Sequence, residues 1–237
     1  MDKKSRIIRA ASKGKRAWYQ SKFMLLFIFL LGILLYYPFS MGSDLRYDVY
    51  RTLFALVILF TVYAVSMRSS LFVLALTFAL PAIVQHTVFA ANIRNRIGVV
   101  NSFLALAFDL YVVVVIFRRI FAKAQADSES IFGALCVYLF VGFTFGNIFM
   151  LVTYFNSKAF YLDPQANSHT VFDRLDSVYY SFGTMTSLGA TGITPVTGEA
   201  RLLTILEALV GVLFLAVLVS RLLSAYGVNR SPANVEQ

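Results

Sequence analysis

Residues 177–195 read SVYYSFGTMTSLGATGITP, and the fold turns on how this run is divided. Around its first part, Leu175, Tyr179, Phe182 and Met185 recur at the spacing of one helix face. Asp173 or Asp176 stands where an N-cap belongs, and a carboxylate there also meets the positive end of the helix dipole. Thr184, Thr186 and Ser187 follow. Gly189, Ala190, Thr191 and Gly192 come next, a string unsuited to a helix interior. A half-helix followed by a glycine-bearing loop, set between two long apolar stretches, is the plan of a re-entrant segment. Irregular backbone at membrane depth is tolerated only where it is buried in protein or lines a watery cavity.

The rest of the chain supplies the membrane. Of 237 residues, 59% are hydrophobic and 14% charged, and the mean hydropathy is +0.72. A soluble domain cannot hide that much apolar surface. A spanning helix needs about 20 apolar residues. Six stretches qualify: 23–39, 50–67, 70–91, 99–117, 131–155 and 202–226. The stretch at 172–186 is semi-polar and too short to cross. The first stretch follows basic residues like a signal peptide, yet it is longer than a signal core and lacks a small-residue cleavage pattern, so it reads as a retained helix. The single Cys136 excludes a disulfide framework within the chain.

Basic residues set the orientation. Lys3, Lys4, Arg6, Arg9, Lys13, Lys15, Arg16 and Lys22 precede the first helix, and Arg118, Arg119 and Lys123 follow the fourth. The positive-inside rule places both groups in the cytoplasm, with the N- and C-termini there, in a multi-pass cell or inner membrane. Five crossings then deliver the chain after Phe155 to the outside, where a pore loop has to start. The net charge of +9 is therefore read as topology setting and contact with anionic lipid rather than nucleic-acid binding.

Four segments follow: a basic tail at 1–22, a four-helix membrane domain at 23–126, a pore domain at 127–226 and a short tail at 227–237. Asp127 or Ser128 suits the cap of the fifth helix. No repeat relates the halves, which counts against an inverted-repeat transporter. A pore helix entering from outside points its partially negative C-terminal end at the bilayer centre. The following backbone then offers carbonyl oxygens, and Ser187 a hydroxyl, in place of an ion's hydration water. One chain supplies a quarter of such a ring, so a four-fold homotetramer is required.

Residues 129–226 resemble the pore module of tetrameric potassium channels, most of all bacterial channels with four helices before the pore. That family's filter reads Thr, an aliphatic residue, Gly, an aromatic residue, Gly and Asp, commonly followed by Ile-Thr-Pro. Ser187, Leu188 and Gly189 take the first three positions, and Ile193, Thr194 and Pro195 match the trailing motif. Tyr179, Tyr180, Ser181, Phe182, Thr184, Met185 and Thr186 fit the family's pore helix, and Glu207, Ala208, Leu209 and Gly211 its inner helix. The resemblance implies an all-α membrane protein with six transmembrane helices, a re-entrant pore helix and a filter. It implies passive flow of potassium or another monovalent cation, with no enzymatic chemistry and no cofactor. The filter positions would be Ser187, Leu188, Gly189, Ala190, Thr191 and Gly192. Tyr179, Tyr180, Thr184, Thr186 and Glu207 would support them, and Gly211 is a candidate gating hinge or packing glycine.

Three departures bear on selectivity. Ala190 replaces the aromatic that braces the family's filter, Thr191 the second glycine, and Gly192 the aspartate. A β-branched residue is strained at positive φ, so the outer half of the filter is expected to take another path, and potassium selectivity to weaken. A non-conducting channel-like scaffold is the alternative reading. A transporter using Asp109, His86 and Glu207 is less favoured, with Asp109 and His86 read as a buried polar pair. Gly142 and Gly146 form a packing pair on the fifth helix. The fourth span carries no repeated arginines, which argues against voltage sensing.

Overall fold

The computed structural model describes residues 22–36, 39, 44–65, 96–122, 128–189 and 192–228. The expected third span, His86, the basic tail before Lys22, Lys123 and Asp127 lie outside the described residues. The described helices are α1 (Lys22–Tyr36), α2 (Asp44–Val65), α3 (Arg96–Phe121), α4 (Ser128–Phe155), α5 (Arg174–Met185) and α6 (Gly198–Val228). Two short strands, β1 (Phe160–Leu162) and β2 (Ile193–Pro195), flank α5 in the chain.

Among the described residues, Glu129–Phe155 and Gly198–Ser220 are long and apolar enough to cross a membrane, while Lys22–Tyr36 and Thr52–Ala64 are apolar but shorter. The expected fourth stretch lies within the 26 residues of α3. With 12 residues, α5 spans about 18 Å at 1.5 Å per residue and cannot bridge a hydrocarbon core of about 30 Å.

Helical spacing accounts for the first core cluster. Phe23, Leu26, Leu30 and Ile33 of α1 and Phe108, Val112 and Ile116 of α3 bury one face each, together with Val57, Ile58 and Val62 of α2 and Val137 and Phe140 of α4. Arg119 at the end of α3 pairs with the buried Glu129 at the start of α4 at 3.1 Å.

A second cluster lies where the chain enters and leaves α5. Strands β1 and β2 pair antiparallel in the register Phe160↔Pro195, Tyr161↔Thr194, Leu162↔Ile193. Phe160 and Leu162 point inward and Tyr161 outward, as the two-residue period of a strand dictates. Phe160 stacks on Phe172 at 4.4 Å, and Tyr180 of α5 meets the rings of Phe149 and Phe160 edge-on, each at 5.1 Å.

Small residues seat α5 between α4 and α6. Gly142 lies under the Phe182 ring and Gly146 beside the Ser177 carbonyl, so the glycine pair of α4 packs against α5. The buried surface of α5 is wider than the apolar stripe at 175, 179, 182 and 185, of which Met185 is buried and Leu175 and Phe182 pack on the core. Asp176, Ser177, Tyr180, Ser181, Gly183 and Met185 are buried, whereas Tyr179 is 43% exposed. Small side chains that hydrogen-bond across helices allow closer approach than large apolar ones, so the polar face turns inward.

Helix α6 begins at Gly198, four residues before the expected start. Thr197 nucleates it, its Oγ1 accepting from the Ala200 amide at 3.3 Å and its carbonyl from the Arg201 amide at 3.0 Å. Glu207 consequently sits nine residues into the helix, about 13 Å along it, rather than one turn from the end. A Cβ on Gly211 would fall inside van der Waals contact with the Met185 carbonyl oxygen. Gly211→Ala is therefore expected to cost about 1–3 kcal/mol through overpacking and to lower the melting temperature of detergent-solubilised protein. Gly198→Ala, where nothing lies within 4 Å, is expected to leave that temperature unchanged.

Candidate functional site

Both ends of α5 are fixed by hydrogen bonds, and they define the site. At its start Asp173 and Asp176 form a capping box: Asp173 Oδ1 accepts from the Asp176 amide and Asp176 Oδ2 from the Asp173 amide, each at 2.9 Å. The two candidate caps act reciprocally. His169 Nε2 lies 2.9 Å from Asp176 Oδ2 and 3.9 Å from Asp173 Oδ2. The hydrogen bond to the Asp176 carboxylate raises the His169 pKa, and burial raises that of Asp173. These three side chains offer ligand atoms within 4.8 Å of one another. Asp173 Oδ1 and Asp176 Oδ2 are committed to the cap, however, and a cation at this helix end would oppose the dipole.

The first residue of α5 also reaches back toward the four-helix region. Arg174 Nη1 donates to Asn147 Oδ1 at 3.1 Å, and Asn147 Nδ2 donates to Asp109 Oδ2 at 2.8 Å. The three side chains, with Thr61, line a cavity of about 50 Å³ bounded by α1 to α5. Asp109 was expected to pair with His86; its partner among the described residues is Asn147.

Midway along α5, Ser181 Oγ sits between the Gly142 carbonyl oxygen of α4, at 2.7 Å, and Glu207 Oε1 of α6. Glu207 is fully buried, and its Oε2 has no partner among the described residues. One turn away, the Tyr180 hydroxyl meets Thr204 Oγ1 at 2.8 Å. Ser181 and Tyr180 thus tie α5 to Glu207 and Thr204 of α6, while Tyr179 is partly exposed. Thr184 is half-buried.

The C-terminal end decides what the loop can do. A helix leaves its last four carbonyls without intrahelical partners. Here the Phe182 oxygen takes the Thr186 amide at 3.0 Å and its hydroxyl at 2.6 Å. Gly183 takes the Gly189 amide at 3.0 Å, Thr184 the Ser187 amide at 3.1 Å, and Met185 the Tyr138 hydroxyl at 3.4 Å. The chain then turns through positive φ at Ser187 (60°) and Gly189 (80°). A serine tolerates that region better than the β-branched threonine of the family motif. Ser187, Leu188 and Gly189 are exposed, and among the described residues their carbonyls accept no hydrogen bond.

Ala190 and Thr191 lie outside the described residues. The Gly192 carbonyl accepts from the Asp163 amide at 2.8 Å and from Asn167 Nδ2 at 2.9 Å. Gly211 is held against the end of α5, a close contact that by itself requires glycine there. Asn147, Asn167, His169 and Ser181 were not foreseen as site residues. Ser177 and Ser181, one turn apart, were a legible polar seam; nothing local marked Asn167.

A short half-helix thus ends in an exposed turn with unclaimed carbonyls, between two membrane-capable helices. This segment falls within residues 135–227, which match a family model described as "Ion channel". Residues 135–227 are therefore similar to an ion-channel domain and contain most of the two helices long and apolar enough to cross a membrane. No curated protein and no solved structure was found to match it significantly.

Two outcomes follow from the ends of α5. A histidine whose folded pKa is raised contributes stability that is complete below about pH 6.5 and is lost as pH rises through the folded value. Melting temperature is expected to fall as pH rises above about 6.5, with His169→Gln flattening that slope. Asn147→Leu removes the donor that Asp109 uses, and is expected to cost about 1–3 kcal/mol, read by thermal unfolding in detergent.

Proposed function

We propose that the chain is one subunit of a homotetrameric, passive channel for monovalent cations, with six crossings and one pore loop per subunit. The observation that carries this reading is the exposed turn Ser187, Leu188 and Gly189, whose carbonyls accept no hydrogen bond among the described residues, directly after a half-helix whose last four carbonyls are satisfied. Four copies around an axis would face these oxygens, and the Ser187 hydroxyl, toward one line, each replacing part of an ion's hydration shell. The negative ends of four α5 dipoles would converge below them. Tyr180, Thr184, Thr186 and Glu207 act as supports from α5 and α6.

The ion set by this filter is potassium-like but weakly discriminated. Gly192 withdraws one carbonyl from the ring, and Ala190 lacks the aromatic brace, so fewer sites of fixed geometry remain than in a strict potassium filter. Both termini are taken as cytoplasmic, and the basic tail as a contact for anionic lipid.

Purified protein in liposomes under a potassium gradient is expected to show flux that depends on a counter-ionophore, and on a bilayer a current that passes sodium as well as potassium. The double replacement Ala190→Tyr with Thr191→Gly is expected to raise the potassium-to-sodium permeability ratio. Gly192 is left unchanged in this variant, because a Cβ there would lie 2.6 Å from the Ala166 Cβ. Silence of both proteins in both assays would overturn the channel reading in favour of a non-conducting scaffold.

A further inference from the structure

The loop between α4 and α5 contains a device that the channel reading does not itself require. Asp163 opens a tight turn: its carbonyl accepts the amides of Ala166 at 3.1 Å and Asn167 at 3.0 Å, and its Oδ1 accepts the Gln165 amide at 3.0 Å. The turn is thus closed by its own backbone. From it the Asn167 side-chain amide reaches two oxygens at once, the Asp163 carbonyl at 3.0 Å and the Gly192 carbonyl at 2.9 Å. Both neighbours are acceptors, so the amide nitrogen must face them, and its two protons are both used.

Gly192 is shaped to receive that side chain. Its φ is +84°, a region that side-chain-bearing residues rarely adopt. A Cβ on it would also lie 2.6 Å from the Ala166 Cβ and 2.9 Å from Asn167 Nδ2. The backbone of the loop exit therefore lies flush on the 163–167 turn. Immediately below, the Asp163 amide bonds to the same Gly192 oxygen, and the β1–β2 ladder continues the attachment through Leu162↔Ile193. Asn167 is the side chain that closes this seam, and it comes from the loop before α5 rather than from α5.

We propose that Asn167 is a positioning residue for the filter: its amide pins the Gly192 end of the pore loop to the 163–167 turn. This rests on the channel reading above. The polar donor acts on backbone that leads into the ion-facing carbonyls at Ser187, Leu188 and Gly189. It sets how firmly the outer end of that segment is held, and so how well the sites distinguish ions of different radius.

The test compares full-length wild type with Asn167→Asp and Asn167→Ala. Asn167→Asp is isosteric and turns both donors into an oxygen facing two carbonyls. Asn167→Ala removes the contact without adding charge, and the turn's own backbone bonds remain to hold the loop. Reversal potentials on planar bilayers with potassium on one side and sodium on the other give the permeability ratio. Hydrogen exchange of the peptide containing Gly192 and Ile193 reports the seam without any current. We expect exchange at that peptide to accelerate in both variants and the permeability ratio to shift by roughly fivefold, the factor matching one lost hydrogen bond. Unchanged exchange in both variants overturns the clamp. Accelerated exchange with an unchanged ratio overturns its role in positioning the filter. A wild type without current defeats the channel reading alone, and the exchange comparison still decides the clamp.

Discussion

A helix that stops inside a membrane protein must dispose of four carbonyl oxygens without help from water, and the structure around α5 is arranged to do so. The Phe182, Gly183, Thr184 and Met185 oxygens are taken by Thr186, Gly189, Ser187 and Tyr138 respectively. Only because these four are satisfied locally can the next carbonyls be left exposed. The turn that satisfies them forces positive φ at Ser187 and Gly189, and so selects small or flexible residues there. An unpaired carbonyl at membrane depth costs several kcal/mol. Among the described residues the carbonyls of Ser187, Leu188 and Gly189 accept no hydrogen bond, and these three residues are exposed.

Holding that turn in place requires α5 to sit closer to its neighbours than large side chains allow. Gly142, Gly146 and Gly211 remove bulk where α4 and α6 approach, and Ser181 occupies the gap with one hydroxyl between Gly142 and Glu207. A buried carboxylate is expensive away from water, so Glu207 is positioned where a donor already exists. At the other end of α5 the capping box, His169 and the Arg174–Asn147–Asp109 chain tie the helix to the preceding loop, α4 and α3. The half-helix is thereby fixed along its whole length by polar contacts with directional geometry, which tolerates less drift than apolar packing alone.

Much of this was legible in the residues. The apolar stretches located the helices, the Asp173/Asp176 pair marked the start of α5, and the glycines after Met185 marked its end. What was not legible arises from contacts between segments far apart in the chain. The apolar stripe at 175, 179, 182 and 185 showed only part of the packed surface of α5: Met185 is buried and Leu175 and Phe182 pack on the core, but the helix also buries Ser177 and Ser181, which periodicity of hydrophobicity does not read. The start of α6 was missed because Thr197 and Gly198 look like loop, although Thr197 caps the helix. Asn147 and Asn167 carry no local pattern at all. Each became visible only when Asp109 and Arg174, or Asp163 and Gly192, were brought to either side of it.

The apolar surface left on α6 bears on what surrounds the chain. Apart from the polar contacts of Thr204 and Glu207, this helix presents a largely apolar surface, with Leu209, Val212, Leu213 and Leu215 exposed and only 11% of its membrane-capable window buried, against 50% for α4. Lipid would satisfy such a surface equally well, so hydrophobicity alone does not call for another subunit. Leu188, by contrast, is 77% exposed in the turn that follows α5. Backbone carbonyls in an exposed turn of this kind are satisfied by water or by protein rather than by hydrocarbon.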